Sequence, residues 1–384
     1  MLRYEKFPLS PFFPFPTAMK RTLICPRKYV QGPNLLAELG TLLSPLGKKP
    51  LILWDGCLKE IVGATVRKSL QESQMEFVEV DFQGEATLAE RKRVGEIAAK
   101  NRCDISVSIG GGKALDVGKG AAVDTGMKIV TCPTIASNDS PTSAASVWYD
   151  ENHNFLYFEC WPFNPDLVVV DSKIIAGAPV RSFVAGMGDA LATWIETEAA
   201  METRSKNLSG GVPTQAAIHL GQLCFDTLLE YGVDAKRDVE NKVLTPAVEK
   251  VIEANTLLSG LGFESGGLAT AHMLANELSN IPECQKIGLM HGEKVAFGII
   301  TQLCLDDGIE VEYRNEIVDF MIKIGLPVTF EELNLKGITH DRLVKIAEVC
   351  AGEGSLCHNH PFEITVDSVV CAMISADALG RSRK

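Results

Sequence analysis

Residues 105–113 read Ile-Ser-Val-Ser-Ile-Gly-Gly-Gly-Lys, an apolar run that passes directly into three glycines and a lysine. Alternating β-branched residues predict a buried strand over Ile105–Ile109, and the amphipathic run Ala114–Asp124 predicts the helix that follows the glycines. The same rhythm extends outward on both sides. Pro50–Trp54 and Phe77–Phe82 read as strands, each followed by a helical stretch, 58–72 and 88–101, and Lys128–Cys132 reads as the next strand. Short apolar strands alternating with amphipathic helices make parallel β/α units.

The texture then changes. Ser146–Tyr149 and Phe155–Cys160 flank the polar run 150–154 as a hairpin would, and Leu167–Val170 closes the sheet region. From Gly188 onward the periodicity is helical, over 189–203, 213–230, 247–259, 266–279, 291–306, 312–324, 340–351 and 367–381. The expected architecture is an α/β N-terminal domain, with a Rossmann-like parallel sheet and a hairpin, at 19–180. An all-helical domain follows at 181–384. Residues 1–18, with prolines at 8, 11, 14 and 16 and a glutamate at 5, fit neither a signal nor a transit peptide and are expected to be a poorly ordered extension, with Met19 as the start of the folded unit.

The bulk properties agree. A chain of 384 residues is long for one core. A formal charge of −12 argues against nucleic acid as a partner, since phosphate binding needs a basic face, and no apolar run reaches the ~18 residues that span a bilayer. The 11 cysteines are scattered with no Cys-x-x-Cys pair, as reduced thiols of a cytoplasmic protein would be.

A strand, then Gly110-Gly111-Gly112-Lys113, then a helix is an arrangement that cradles a diphosphate, because glycines let backbone N–H groups approach phosphate oxygens at a helix N-terminus. It matches neither the G-x-G-x-x-G fingerprint nor the P-loop, and a triple glycine also makes an ordinary tight turn. Asp116 and Lys119 taken alone read as solvated helix residues. Thr131–Pro141 follows the next strand at the same sheet edge, where open α/β sheets bind ligands. Its hydroxyls, amide and carboxylate suit a ribose, a nicotinamide or a substrate hydroxyl, and equally a hydroxyl-rich turn.

Of seven histidines, two stand in distinctive surroundings. His272 ends a small-residue helix start, Gly266–His272, and His291 opens the helix that continues Gly292-Glu293-Lys294. Asp189 follows Gly186-Met187-Gly188 and is read as lying at a helix start, where it could equally be an N-cap. One carboxylate and two imidazoles with a position left open make a catalytic set for zinc or ferrous iron. His153, His219 and His340 read as structural, and the pair His358 and His360 is a weaker metal candidate.

Four stretches, PTIASNDSPTSAASVWY (133–149), AGMGDALATWIETEA (185–199), VIEANTLLSGLGFESGGLATAH (251–272) and HGEKVAFGIITQL (291–303), resemble, in order, the glycerol dehydrogenases of the metal-dependent (iron-containing type) alcohol dehydrogenase family. The resemblance runs from about Met19 to the C-terminus. It implies NAD-dependent, zinc-assisted oxidation of glycerol and related vicinal diols, with a small-molecule polyol as partner and a homo-oligomer, often an octamer, as the assembly. It places Asp189, His272 and His291 as zinc ligands, Asp139 against the polyol and Phe263 as a wall of the substrate pocket. For NAD it implies Asp55, Gly111, Gly112, Lys113, Asp116, Thr134, Ser137, Ser143, Ala145 and Tyr149. Two departures are visible. The glycine loop continues Lys113-Ala114 instead of lysine and a hydroxyl residue, and residues 273–290 depart from the usual pattern.

The runner-up reading is a relative acting on 2-hydroxy acids or 1,2-propanediol with the same machinery. A glycerol-1-phosphate dehydrogenase would need Lys or Arg near the metal, and the segments around 139, 189, 263 and 272 carry none. A nucleotide-binding protein without catalysis would have no use for an intact Asp189, His272 and His291.

Overall fold

The structure, a computed structural model, describes residues 19–384; the expectation for 1–18 falls outside the described residues. Its strands are β1 (Tyr29–Gly32), β2 (Pro50–Trp54), β3 (Val78–Asp81), β4 (Ile105–Gly110), β5 (Lys128–Pro133), β6 (Ala145–Tyr149), β7 (Phe155–Cys160) and β8 (Leu167–Asp171). Six form one parallel sheet in the order β1-β8-β5-β4-β2-β3, and β6 and β7 pair separately as an antiparallel hairpin. Helices α1 (Leu39–Leu43), α2 (Leu58–Ile61), α3 (Gly63–Glu72), α4 (Leu88–Asn101), α5 (Gly112–Thr125) and α6 (Ser172–Gly177) accompany the sheet. The rest of the chain is helical. It comprises α7 (Val180–Thr203), α8 (Gln215–Glu240), α9 (Pro246–Glu253), α10 (Ser259–Gly266), α11 (Thr270–Ser279), α12 (Pro282–Lys286), α13 (His291–Leu305), α14 (Val311–Ile324), α15 (His340–Cys350) and α16 (Val366–Arg383). Among the described residues no helix is long and apolar enough to cross a membrane.

Every residue of β2 and β4 is buried, including Ser106 and Ser108 of β4, the usual state of a parallel sheet covered by helices on both faces. Alternate side chains enter opposite cores. Ile52 and Val107 pack with Leu36, Leu39 and Val66 on one side, while Leu51 and Leu53 pack with Val94, Val117 and Ala121 on the other. The helical half forms the largest core, and Ala136, Val168 and Val170 from the sheet side are part of it.

Several elements differ from the sequence reading. β1 was not foreseen: it pairs with β8 (Tyr29↔Val168), which puts β8 inside the sheet rather than at its edge. All four β1 residues are half-buried, as suits an edge strand, so no apolar run marks it. The helix carrying Asp189 starts at Val180, so Asp189 lies mid-helix and is neither a helix start nor an N-cap. Gly186 and Gly188 are packing residues, not turn residues. A Cβ on Gly186 would lie 1.9 Å from the Ala136 carbonyl oxygen, and one on Gly188 would lie 2.4 Å from that of Gly292. The helix expected to end at 259 instead runs on through a π turn, Ala254–Leu258, into α10. Inside that turn Asn255 Nδ2 donates to the carbonyls of Ala136 (3.0 Å) and Phe183 (3.1 Å), which fastens the turn to the loop after β5 and to α7. Gly267, at φ +118°, breaks the chain before α11, which begins at Thr270 and not at 266.

Where α13 crosses α11, a Cβ on Gly298 would meet the Ala271 carbonyl oxygen at 2.3 Å, whereas one on Gly177 meets nothing within 4 Å. Gly298→Ala is therefore expected to destabilise the fold by about 1–3 kcal/mol through overpacking. Gly177→Ala should leave the unfolding transition unchanged. Denaturant unfolding of the two variants checks this, and equal midpoints would contradict the crossing as described.

Candidate metal and cofactor site

Three helices bring Asp189 (α7), His272 (α11) and His291 (first residue of α13) together, with one ligand atom of each lying within 4.8 Å of the others. Asp189 Oδ1 lies 3.4 Å from His272 Nε2 and 3.3 Å from His291 Nε2. Asp189 is fully buried. Its Oδ2 accepts the N–H of Asp139 at 3.2 Å, while Oδ1 has no hydrogen-bond partner. An orphaned carboxylate oxygen costs several kcal/mol unless a donor or cation meets it.

The charges point the same way. Burial works to raise the Asp189 pKa, but His291 and His272 hold it below the usual carboxylate range. Burial works to lower that of His272, and Glu196 and Asp189 outweigh it, leaving the ring well above its ordinary value. Burial pushes His291 down to about 4 against the pull of the Asp189 carboxylate, with His272 and Lys294 adding to the fall, so its ring is neutral and able to ligate. Burial and the Asp189 charge drive the Asp139 carboxyl well above its usual range. An orphaned anionic oxygen, a neutral imidazole and crowded carboxylates are the condition that a divalent cation relieves, so the residues fit a metal ion. Two nitrogens and one oxygen suit zinc or ferrous iron alike.

Glu196 lies seven residues after Asp189 on α7 and is fully buried. It accepts the N–H groups of Ala269 (2.8 Å) and His272 (3.0 Å), and its Oε2 meets His272 Nδ1. That contact fixes the ring so that Nε2 faces Asp189, the usual second support of a metal-ligating histidine. Sequence reasoning missed Glu196. The signal was a carboxylate two helical turns from Asp189, on the same face of the helix.

His272 and His291 line a pocket together with Asn138, Asp139, Ser143, Ala145, Tyr149 and Phe263, and Asp189 is buried behind the two rings. Phe263 stacks on His272, with ring centres 6.4 Å apart. The pocket shares Gly112, Lys113, Asn138, Tyr149 and His291 with a cleft that Asp55, Gly111, Ser137 and Lys294 also line. The cleft runs between the carboxyl ends of the strands and the helical half. Gly111 precedes α5 without a capping side chain, so the first-turn N–H groups of α5 are left open. A Cβ on Gly112 would meet Asn138 Nδ2 at 2.5 Å. An open helix N-terminus in a cleft fits the diphosphate of a dinucleotide. The hairpin turn reaches across the cleft mouth: Asn280 accepts from the Phe155 N–H at 2.9 Å, and Gln285 donates to Asn154 at 3.1 Å.

The remaining sequence candidates are placed as follows. Asp55 Oδ2 accepts the Gly111 N–H at 2.9 Å, at the foot of the glycine loop. Lys113 pairs with Glu85 (2.6 Å) and lies over the Tyr149 ring at 4.7 Å. Thr134 is buried, lines neither cavity and donates its N–H to Gly110. Asp116 and Lys119 are not solvated: both are buried, as an ion pair at 2.9 Å. The Asp116 carboxylate also accepts from Ser140 Oγ (2.6 Å) and the Val147 N–H (3.0 Å), and Lys119 donates to Ser140 O (2.9 Å). Glu264, whose pKa burial raises to about 7, takes the N–H of Ala144 at 2.6 Å. These groups pin the 138–147 segment that carries Asp139. None of the other histidines joins the trio. His360 is buried against Thr270 Oγ1 at 3.0 Å, and His358 is exposed. All eleven cysteines are free.

Glu196→Gln should weaken metal binding roughly 10–100-fold while preserving the fold, because it loosens the tautomer and aim of His272. Competition with a chromophoric chelator measures this, and wild-type affinity in the variant would remove Glu196 from the site.

A family model described as iron-containing alcohol dehydrogenase matches residues 26–172. The chain is 42% identical to the glycerol dehydrogenase of Escherichia coli O6:H1, over 94% of this chain and 98% of that one. It is 40% identical to a glycolaldehyde reductase of Halobacterium salinarum, over 93% and 97%. The crystal structure of glycerol dehydrogenase from Schizosaccharomyces pombe superposes with a TM-score of 0.91 at 34% identity, covering 95% of this chain and 92% of that one. Matches of this identity along nearly the whole chain, on a fold that also superposes, establish descent: the chain belongs to the iron-containing alcohol dehydrogenase family.

Proposed function

We propose that the protein is an NAD-dependent, zinc-assisted glycerol dehydrogenase, which reversibly oxidises the secondary alcohol of glycerol to dihydroxyacetone and accepts related vicinal diols. The observation that carries the reading is the orphaned Asp189 oxygen beside two imidazoles that line a pocket continuous with the glycine-loop cleft. The family and the glycerol dehydrogenases among its relatives support the same activity. In this reading residues 19–180 hold the dinucleotide and 181–384 hold the metal. The eleven free thiols support a reducing compartment such as the cytoplasm.

Asp189, His272 and His291 would hold a metal ion whose Lewis acidity acidifies an alcohol, and NAD would supply the hydride acceptor. The protein's own part is placement and proton handling. Gly111, Gly112 and Lys113 hold the diphosphate at the open end of α5. Asp55 keeps one oxygen on the Gly111 N–H, leaving the other for a ribose hydroxyl. Ser137, Ser143, Ala145 and Tyr149 line the path inward, and Thr134 backs the loop from beneath. Glu196 keeps His272 in the ligating tautomer. Asp139 receives a substrate hydroxyl, and Phe263 shields the reacting face from water. A 2-hydroxy acid fits less well, since its carboxylate would meet Asp139 while the buried Lys119 is already paired with Asp116.

Two outcomes test the reading. His272→Ala or His291→Ala should remove most bound metal and nearly all activity with the fold kept, because two ligands hold zinc too weakly against water. His358→Ala should keep both. Metal analysis beside circular dichroism decides, and full occupancy in the first two variants refutes the site. Second, kcat/KM should be highest for glycerol and 1,2-propanediol and far lower for ethanol or 1-propanol, by up to ~10⁴-fold, since a site built to bond a hydroxyl rejects its absence. Asp139→Asn should narrow that gap. Glycolaldehyde, named for the halobacterial relative, belongs in the panel. A 2-hydroxy acid that outperforms every diol would transfer the assignment to the runner-up.

A further inference from the structure

Lys294 sits one turn beyond His291 on α13, and only 9% of the residue is exposed. Its ammonium has a single neutral acceptor, Ser279 Oγ at 2.6 Å, whose own proton goes to the Ala275 carbonyl at 2.9 Å. No carboxylate among the described residues lies within ion-pair distance of it. The adjacent Glu293 is already held by Arg181, at 2.6 and 2.7 Å. A cation this buried, with no anion, carries an uncompensated desolvation cost. Burial lowers its pKa to about 8, and Lys113 across the cleft acts in the same direction.

The geometry names the missing anion. Lys294 lines the same cleft as Gly111, Gly112 and Lys113, on the opposite wall. A neutral polyol cannot compensate an ammonium, whereas the diphosphate of a dinucleotide can, by accepting charge-assisted hydrogen bonds. We propose that Lys294 is a diphosphate ligand supplied by the helical half of the chain. It would close on the cofactor from the side facing the glycine loop, so that one dinucleotide ties both walls of the cleft together. The inference rests on the NAD reading above.

The test uses ADP-ribose, which carries the diphosphate and cannot turn over, titrated calorimetrically into the full-length, zinc-loaded protein. Lys294→Met should weaken ADP-ribose and NADH binding about 10–100-fold, the worth of one hydrogen bond to a charged group, with metal content unchanged. It should also flatten the salt dependence of binding, which a merely structural role would not do. Lys294→Gln serves in the same way should the methionine variant not fold. If wild type binds ADP-ribose and both variants bind it equally well with the same salt dependence, Lys294 is not a diphosphate ligand although the NAD reading stands. If wild type itself fails to bind ADP-ribose or NADH, both fall.

Discussion

Around Asp189, His272 and His291, backbone meets backbone with no side chain between. A Cβ on Gly292 would lie 1.8 Å from the Ala185 carbonyl oxygen, one on Gly188 would crowd Gly292 in return, and one on Gly186 would strike Ala136. These glycines hold α7, α13 and the loop after β5 at the shortest distance two chains can pack. Everything chemical depends on that approach. Only there can a side chain as short as aspartate, in mid-helix, reach imidazoles on two other helices and also accept the Asp139 amide. Farther apart, the same residues would be solvated separately.

Close packing leaves little water inside, so every buried charge needs a partner within the protein or in a ligand. The molecule meets the need in two ways. Asp116–Lys119 and Glu264 are satisfied internally, and they spend their bonds on the 138–147 segment, turning a hydroxyl-rich loop into a rigid wall. Asp189 Oδ1 has no hydrogen-bond partner and the Lys294 ammonium only a neutral one; Lys294 lines the cleft, and Asp189 lies behind the two imidazoles that line the pockets. The partition separates framework from binding surface on electrostatic grounds alone.

The β/α alternation, the hairpin, the glycine loop and the three side chains that the fold brings together, Asp189, His272 and His291, were legible in the sequence, since each leaves a local mark: periodicity, turn composition, or histidine among small residues. The sequence hid whatever depends on contacts distant along the chain. Gly186-Met187-Gly188 looks like a turn because glycine's use at a helix crossing is invisible until the partner helix is known, so Asp189 was assigned to a helix start. Asp116 and Lys119, three residues apart on a helix, looked like a solvated pair because burial on that face comes from the Ser140–Val147 segment. Glu196 went unnoticed for the same reason. β1 was lost because an edge strand of half-buried residues has no apolar signature.

The π turn at Ala254–Leu258 relaxes the demand on chain length at one point. Each residue of an α-helix advances the side-chain direction by about 100°, so one residue added to or taken from a regular turn swings everything after it. A widened i→i+5 turn takes up one extra residue locally and leaves the faces downstream where they were. Phe263 therefore keeps its stack on His272, and Glu264 its bond to the Ala144 amide. A homologue one residue shorter in 254–258 would retain this pocket wall on a regular helix, and would lose instead the bulge from which Asn255 reaches the Ala136 and Phe183 carbonyls.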